Sequence, residues 1–237
     1  MLLNVWCVNL DCRPGTIDSY LRVLAPLERE RSKRLVDIEA RRQFVAARMT
    51  MRMILSGSLG CRPQDVHLAE NAHGKPLVDP LRHHPAPAFN LSHDGDFGVM
   101  AVGMVADLGI DVLRLRPWSD VEAIVRHFFT RPEQAAVMEL PLEKRAQAFA
   151  RIWTRKEAVV KALGEGLSAN IGAINVLGSR RALANASSSG PIPVVDGLFV
   201  YDVPLGGDRI ASLATTVAVA TIVTTPFILP DLMTREN

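Results

Sequence analysis

Two long stretches of helical periodicity, each accompanied by strand-like segments, constrain the fold of this chain more than any other feature. Residues 38–59 contain no proline and no internal glycine before Gly57, and their apolar side chains recur at helical spacing. Residues 142–163 form a second such stretch, which Gly164 ends. The sequence therefore predicts strands with one long helix, twice over, although no repeat of fixed period is visible in the residues themselves.

Short β-rich segments account for much of the rest of the chain. Alternating apolar residues and flanking turn residues mark their bounds. The predicted strands are residues 2–10, 66–69, 97–105, 108–113, 198–203 and 210–224. This pattern places Asp111 on a strand.

The composition is that of a globular protein. Of the 237 residues 48% are hydrophobic and 22% are charged, and a formal net charge of +2 is too small to require nucleic acid as a partner. Basic side chains are frequent in residues 29–52, but acidic ones interleave with them, which favours a solvated helix face over a nucleic-acid patch. The charge is compatible with an acidic protein partner.

The cysteines and the apolar segments predict a cytoplasmic protein. Cys7, Cys12 and Cys61 have no metal-ligand spacing, and their odd number argues against a disulfide framework. Residues 1–6 lack the basic start of a signal peptide. The apolar run at 210–223 is too short to span a bilayer, so no membrane association is expected.

One face of the second long helix carries residues that could form a catalytic or binding site. Trp153, Glu157 and Lys161 are four residues apart and therefore lie along one face. A magnesium ligand and a phosphate partner could lie there together. Alternatively, Glu157 and Lys161 are an ordinary surface pair, which stabilises a helix by about 0.2–0.5 kcal/mol without any chemistry. Trp153 and Phe149 are expected to belong to the core.

Four separated motifs favour the chemical interpretation. In chain order they are Gly74-Lys75-Pro76, Phe89-Asn90-Leu91-Ser92-His93, Gly109-Ile110-Asp111 and the helical segment 149–164. Gly-Ile-Asp alone is a weak pattern, but the set of four resembles the 4′-phosphopantetheinyl transferases over residues 41–167. The resemblance is to the Sfp-type class, whose single chains contain two similar halves.

The resemblance implies both a fold and a division of labour. The expected fold class is α+β, a pseudo-dimer of two similar halves, each a small antiparallel sheet packed with one long helix. Coenzyme A would bind in the cleft between the halves. Residues 1–106 would form the N-terminal half, which contacts the coenzyme A phosphates, and residues 107–237 the C-terminal half with the magnesium and catalytic residues.

The resemblance also implies a reaction and its partners. A serine of an apo carrier protein, whose recognition helix is acidic, would attack the β-phosphate of coenzyme A. The products would be the holo-carrier and adenosine 3′,5′-bisphosphate. The protein itself is expected to be a monomer. The alternative is a non-catalytic module that binds coenzyme A or a carrier and derives from such an enzyme.

Three residues of the C-terminal half would be catalytic by the resemblance. Asp111 and Glu157 would bind magnesium, a hard ion that takes one or two carboxylates together with phosphate oxygens. Glu157 would also accept the proton of the attacking serine. Lys161 would hold the pyrophosphate, and Lys156 would contact it from the adjacent position.

Four residues of the N-terminal half would contact coenzyme A by the resemblance. Lys75 would lie against its phosphates, Ser92 and His93 at the 3′-phosphate, and Arg48 near the same group. Without the motifs, Lys75 would be an exposed loop lysine as readily as a phosphate contact, and His93 would more often be a structural histidine.

The chain departs from the family pattern at one position. A second acid is usual two residues after the strand aspartate, but this chain has Leu113 there. Residues 111 and 113 share a face of the strand, so Leu113 points where a third carboxylate would lie. Because magnesium retains water readily, we expect this change to weaken metal affinity rather than abolish catalysis.

Overall fold

The structure, a computed structural model, describes residues 2–13, 15–116, 118, 120–164, 166, 170–178, 183, 191–194 and 197–230. Its helices are α1 (Thr16–Val23), α2 (Pro26–Lys33), α3 (Ile38–Leu59), α4 (Val121–Phe128), α5 (Arg131–Met138) and α6 (Leu142–Leu163). Its strands are β1 (Leu2–Asn9), β2 (Leu68–Glu70), β3 (Pro76–Val78), β4 (Ala88–Asp94), β5 (Phe97–Gly103), β6 (Leu108–Arg114), β7 (Ile192–Pro193), β8 (Phe199–Val203), β9 (Arg209–Thr215) and β10 (Thr221–Ile228).

The two long helices, α3 and α6, have the bounds predicted from the sequence. The Asp37 carboxylate caps α3 by accepting a hydrogen bond from the backbone N–H of Ala40 at 2.7 Å. Gly60 and Gly164 end the two helices in the left-handed conformation, which glycine adopts without a Cβ penalty. The ends of both helices are therefore set by local sequence.

Two sheets accompany these helices. The first has the strand order β10-β1-β5-β4, in which β1 pairs antiparallel with β5 and parallel with β10. The second has the order β6-β9-β8-β7 and is antiparallel throughout, while β2 and β3 form a separate pair. The α+β class is confirmed, but the first sheet is mixed rather than antiparallel.

The predicted single strand at residues 210–224 is wrong. β9 belongs to the second sheet, whereas β10 pairs with β1 in the first. Residues 210–224 are a continuous run rich in Ala, Thr, Val and Ile, which carries no signal for a change of sheet. β10 belongs to the predicted C-terminal half but pairs within the sheet of the N-terminal half. The division of the chain at residue 106 therefore stays a prediction.

The core lies in three layers. Apolar side chains of α3 pack on one face of the first sheet, where Val8, Leu10 and Met100 are fully buried. The other face, with Leu3 and Val5, packs against the second sheet. The far side of the second sheet carries α6 with α4 and α5. Among the described residues, no helix is both long and apolar enough to cross a membrane.

Candidate functional site

Close packing of α6 on β6 builds the candidate site. Gly109 of β6 lies so near the helix that a Cβ atom there would be 2.1 Å from the carbonyl oxygen of Ala158 and 2.4 Å from the backbone nitrogen of Ala162. Only glycine fits at this contact. The motif Gly-Ile-Asp thus brings Asp111, two residues further along the strand, to the helix face that carries Lys161.

Asp111, Lys161 and Ser92 form one hydrogen-bonded cluster. The Lys161 ammonium donates to Asp111 Oδ1 at 2.6 Å and to Ser92 Oγ at 2.9 Å. The Ser92 hydroxyl donates to the same Oδ1 at 2.8 Å. Asp111 and Ser92 are buried, so these charge-assisted hydrogen bonds lie away from bulk water. Residues of both sheets therefore meet at one carboxylate.

Asn90 joins the two sheets beside this cluster. It lies on β4, which is an edge strand of the first sheet, and its Oδ1 accepts a hydrogen bond from the backbone N–H of Ile110 on the edge strand β6 at 2.9 Å. Asp94, at the end of β4, also joins the two sheets, because its Oδ2 accepts a hydrogen bond from the backbone N–H of Arg114 at 2.9 Å. The side chains of β4 thus fix the position of the strand that carries Asp111.

Glu157 lies one helical turn before Lys161 and is half-buried. Burial raises the pKa of its carboxyl above the ordinary value, the nearby charge of Asp111 raises it further, and Lys161 opposes the shift. The two acids are therefore close enough to interact electrostatically. Within the described residues, no group of three or more His, Cys, Asp or Glu side chains could share a metal ion.

A cavity of about 550 Å³ opens at Glu157 and Lys161. Trp153, Glu157 and Lys161 line it together, which confirms that they share one face of the helix. The other lining residues are His73, Gly74, Lys75, Pro76, Asn90, Phe128, Val160, Gly164, Gly166 and Ile171. The cavity thus joins an ionic floor to a wall that is largely apolar.

Lys75 and its turn dock onto the end of α6. The Lys75 ammonium donates to the carbonyl oxygens of Leu108 at 3.0 Å and Ala162 at 3.1 Å. Asn71 Nδ2 donates to the Gly164 carbonyl at 3.0 Å, and its Oδ1 accepts from the N–H of Lys75 at 2.9 Å. Burial lowers the pKa of Lys75. Lys75 is thus a half-buried cation on the cavity wall rather than an exposed loop lysine.

The structure departs from the prediction for Lys156. Its side chain is fully buried and pairs with Glu133 at 2.9 Å, on a different side of α6 from the cavity. Consecutive helix positions do not face the same way, so a residue adjacent to Glu157 cannot share its surroundings. The predicted contact between Lys156 and a phosphate is not compatible with this position.

Arg48 lies in a second cavity of about 1050 Å³ between α2, α3 and β2. Its guanidinium stacks on the Phe44 ring at 5.3 Å and lies 3.8 Å from Glu28. Burial lowers the pKa of Arg48, and Arg31 adds to this effect while Glu28 opposes it. Pro76 lines both cavities, so the two cavities adjoin at this residue.

His93 and Leu113 lie at the edges of the cluster. His93 is exposed, because strand alternation turns it away from its neighbour Ser92, and its Nδ1 is 3.2 Å from the carbonyl oxygen of Gly95. Leu113 is half-buried on the same strand face as Asp111. The hydroxyl of Ser92 and the ammonium of Lys161 are the groups that contact Asp111 directly.

Sequence reasoning missed the apolar wall of the main cavity. Trp153 was expected in the core, but it is half-buried and lines the cavity with Phe128, whose ring centroid lies 5.6 Å from its own. Phe149, in contrast, is buried as expected. Helical spacing from Glu157 to Trp153 was the available signal, whereas nothing local identifies Phe128 or Ile171.

Comparisons with known proteins identify the family. The family model described as 4′-phosphopantetheinyl transferase, N-terminal matches residues 13–104, and that of the 4′-phosphopantetheinyl transferase superfamily matches residues 107–191. The 4′-phosphopantetheinyl transferase HetI of Nostoc sp. is 34% identical over 166 residues, which are 70% of each chain. A putative 4′-phosphopantetheinyl transferase of Synechocystis sp. is 31% identical over 71% of this chain and 67% of its own.

A third relative indicates which class of 4′-phosphopantetheinyl transferase this chain resembles. The 4′-phosphopantetheinyl transferase Sfp of Bacillus subtilis is 24% identical over 159 residues, which cover 67% of this chain and 68% of the relative. Matches to models of both halves, in one chain with two sheets and two long helices, agree with this likeness. The chain therefore belongs to the 4′-phosphopantetheinyl transferases, and its type is that of Sfp.

Proposed function

We propose that this protein transfers the phosphopantetheine group of coenzyme A to a serine of an apo carrier protein and releases adenosine 3′,5′-bisphosphate. Proteins of this family transfer phosphopantetheine to carrier proteins with coenzyme A as the donor. The observation that carries the proposal is the placement of Glu157 and Lys161 on one helix face, beside Asp111 and at the floor of a cavity.

In the proposed reaction the serine oxygen forms a bond to the β-phosphorus of coenzyme A. The bond between that phosphorus and the bridging oxygen breaks, and the adenosine bisphosphate leaves with the electron pair. Glu157 accepts the serine proton as the general base of the reaction. Lys161 offsets the negative charge that develops on the leaving phosphate.

The residues present fit a magnesium ion. Asp111 and Glu157 supply hard carboxylate oxygens on facing elements, and their mutual repulsion is part of what raises the pKa of Glu157. We propose that these two residues hold the ion. When bound, it would supply positive charge that offsets the charge of the pyrophosphate.

Coenzyme A would extend along both cavities. Lys75 lies on the wall of the first cavity and Arg48 in the basic second cavity, which supports their proposed contacts with phosphate groups. His93 remains a proposed contact of the 3′-phosphate, whereas the Ser92 hydroxyl faces the other side of β4 and bonds to Asp111 and Lys161. The neutral pantetheine arm is suited to the wall formed by Phe128, Trp153 and Ile171.

The division of labour between the halves is also a proposal. Residues 1–106 would contact the coenzyme A phosphates, and residues 107–237 would hold the metal and catalyse transfer. The two family models support this division, because one ends at residue 104 and the other begins at 107. We also propose that the carrier is acidic, which is compatible with the net charge of +2. The enzyme is further proposed to be a monomer and to be cytoplasmic.

Intact-mass spectrometry of an apo carrier protein tests the proposed function. The carrier is incubated with this protein and coenzyme A, once with magnesium and once with excess chelator. We expect a mass gain of one phosphopantetheine only with the metal. Coenzyme A binding without a mass gain on several carrier types would contradict transfer and favour a non-catalytic binding module.

The position of Leu113 gives a separate prediction. Leu113→Glu adds a carboxylate on the strand face that carries Asp111, and we expect the magnesium concentration for half-maximal rate to fall about threefold to tenfold because a third anionic ligand binds the ion. Transfer rates over a magnesium titration measure it. Leu113→Gln is the control for size and polarity without charge. An unchanged requirement in the Glu variant would show that position 113 does not face the metal.

A further inference from the structure

The buried ion pair between Lys156 and Glu133 lies directly behind the candidate site. Both side chains are 0% exposed, and Lys156 Nζ is 2.9 Å from a carboxylate oxygen of Glu133. A charge taken out of water to this extent is costly unless it is paired and hydrogen-bonded. The burial of this pair is therefore explained by the segments of the protein that its hydrogen bonds connect.

The hydrogen-bonding capacity of Lys156 is used up inside the protein. Besides Glu133, its ammonium donates to the carbonyl oxygen of Ile171 at 3.0 Å and to that of Ile174. An ammonium has three N–H donors, so none is left for a phosphate group. Burial lowers the pKa of Lys156, and Glu133 opposes this shift.

Glu133 is satisfied in the same way. Its Oε1 accepts from the backbone N–H of Val176 at 2.8 Å, and its Oε2 accepts from that of Thr130 at 2.7 Å, where it completes the capping box of α5. The ion pair thus joins α6, the start of α5 and residues 171–176.

These segments carry the apolar wall of the main cavity. Ile171, whose carbonyl oxygen accepts from Lys156, lines the cavity directly. Phe128 lines it two residues before Thr130, and the Phe129 ring between them lies 5.6 Å from Lys156 Nζ. The residue after Lys156 on α6 is Glu157. The ion pair therefore connects the segments of the wall to the helix that carries the acid.

We propose that Lys156 and Glu133 are positioning residues that hold the apolar wall where the pantetheine arm of coenzyme A binds. This inference rests on the proposed function, since it concerns how the same substrate is oriented. In this proposal the ion pair affects binding of the arm and not binding of the phosphates, because the Lys156 ammonium has no free N–H donor for a phosphate.

Affinities for two ligands test the proposal. Coenzyme A has the arm, whereas adenosine 3′,5′-bisphosphate has phosphates but no arm. The double variant Lys156→Met/Glu133→Gln removes both charges and keeps a carbonyl acceptor, so that no uncompensated charge stays buried. We expect coenzyme A to bind this variant about fivefold more weakly than wild type, with the affinity for the bisphosphate unchanged. Isothermal titration calorimetry in the same magnesium buffer measures both.

Other results would overturn the proposal. Equal weakening for both ligands would mean that Lys156 contacts phosphate, and unchanged affinity for both in a folded variant would mean that the pair only stabilises the fold. If the double variant does not fold, Glu133→Gln alone, which keeps the shape of the side chain and an acceptor for Lys156, has to show the same ligand dependence. Wild-type protein that binds neither ligand would instead overturn the proposed function, and this inference with it.

Discussion

Replacing Glu157 by Gln is expected to reduce the transfer rate by at least about a hundredfold, which is the size of a general-base contribution. The amide keeps the shape of the side chain but can neither accept the serine proton nor bind magnesium as an anion. The rate is measured from the gain of phosphopantetheine on an apo carrier with saturating coenzyme A and magnesium.

Loss of the fold is not expected to contribute to this effect. The pKa of Glu157 is raised in the folded protein, so the ionised form is disfavoured there and its charge costs stability at neutral pH. Removing the charge should leave the melting temperature unchanged or slightly higher.

An acid elsewhere on the same helix provides the matched control. Glu143 lies in the exposed first turn of α6, and Glu143→Gln should transfer at the wild-type rate. Wild-type rate in the Glu157 variant would rule out the proposed site.

Gly109→Ala is expected to destabilise the protein by about 3 kcal/mol or more, because overpacking against a rigid backbone costs about this much. The new methyl carbon would lie 2.1 Å from the Ala158 carbonyl oxygen and 2.4 Å from the Ala162 nitrogen. Both are helix backbone atoms, which cannot move aside singly, so α6 as a whole has to shift. Denaturant unfolding monitored by circular dichroism measures the loss.

The folded fraction of the Gly109→Ala variant should also lose transfer activity. A shift of α6 away from β6 would lengthen the 2.6 Å contact between Lys161 and Asp111, and the site depends on that contact. Gly57→Ala is the control, since a Cβ atom there meets nothing within 4 Å and glycine is unfavourable within a helix. It should stabilise the protein by about 0.5–1 kcal/mol. Equal stability of the Gly109 variant and wild type would contradict the packing of α6 on β6.

The amino-acid sequence alone determined the long helices and the order of the motifs. Asp37, Gly60 and Gly164 set helix ends through local backbone geometry, which does not depend on distant residues. Helical spacing likewise placed Trp153, Glu157 and Lys161 on one face, and strand alternation placed Asp111 and Leu113 on another. These are short-range rules, and the structure agrees with them.

Only the tertiary structure decided what each of these faces meets. Lys156 follows the same helical pattern as its neighbours, but α5 and residues 171–176 bury it with Glu133, and no local signal identifies that partner. β9 and most of the predicted strand that follows it form one continuous apolar run, yet β9 and β10 join different sheets because their pairing partners lie far apart in the chain. The apolar wall arises in the same way, since Phe128, Trp153 and Ile171 meet only when α4, α6 and the segment after α6 pack together. Side-chain partners depend on long-range packing, and periodicity in a single chain does not encode it.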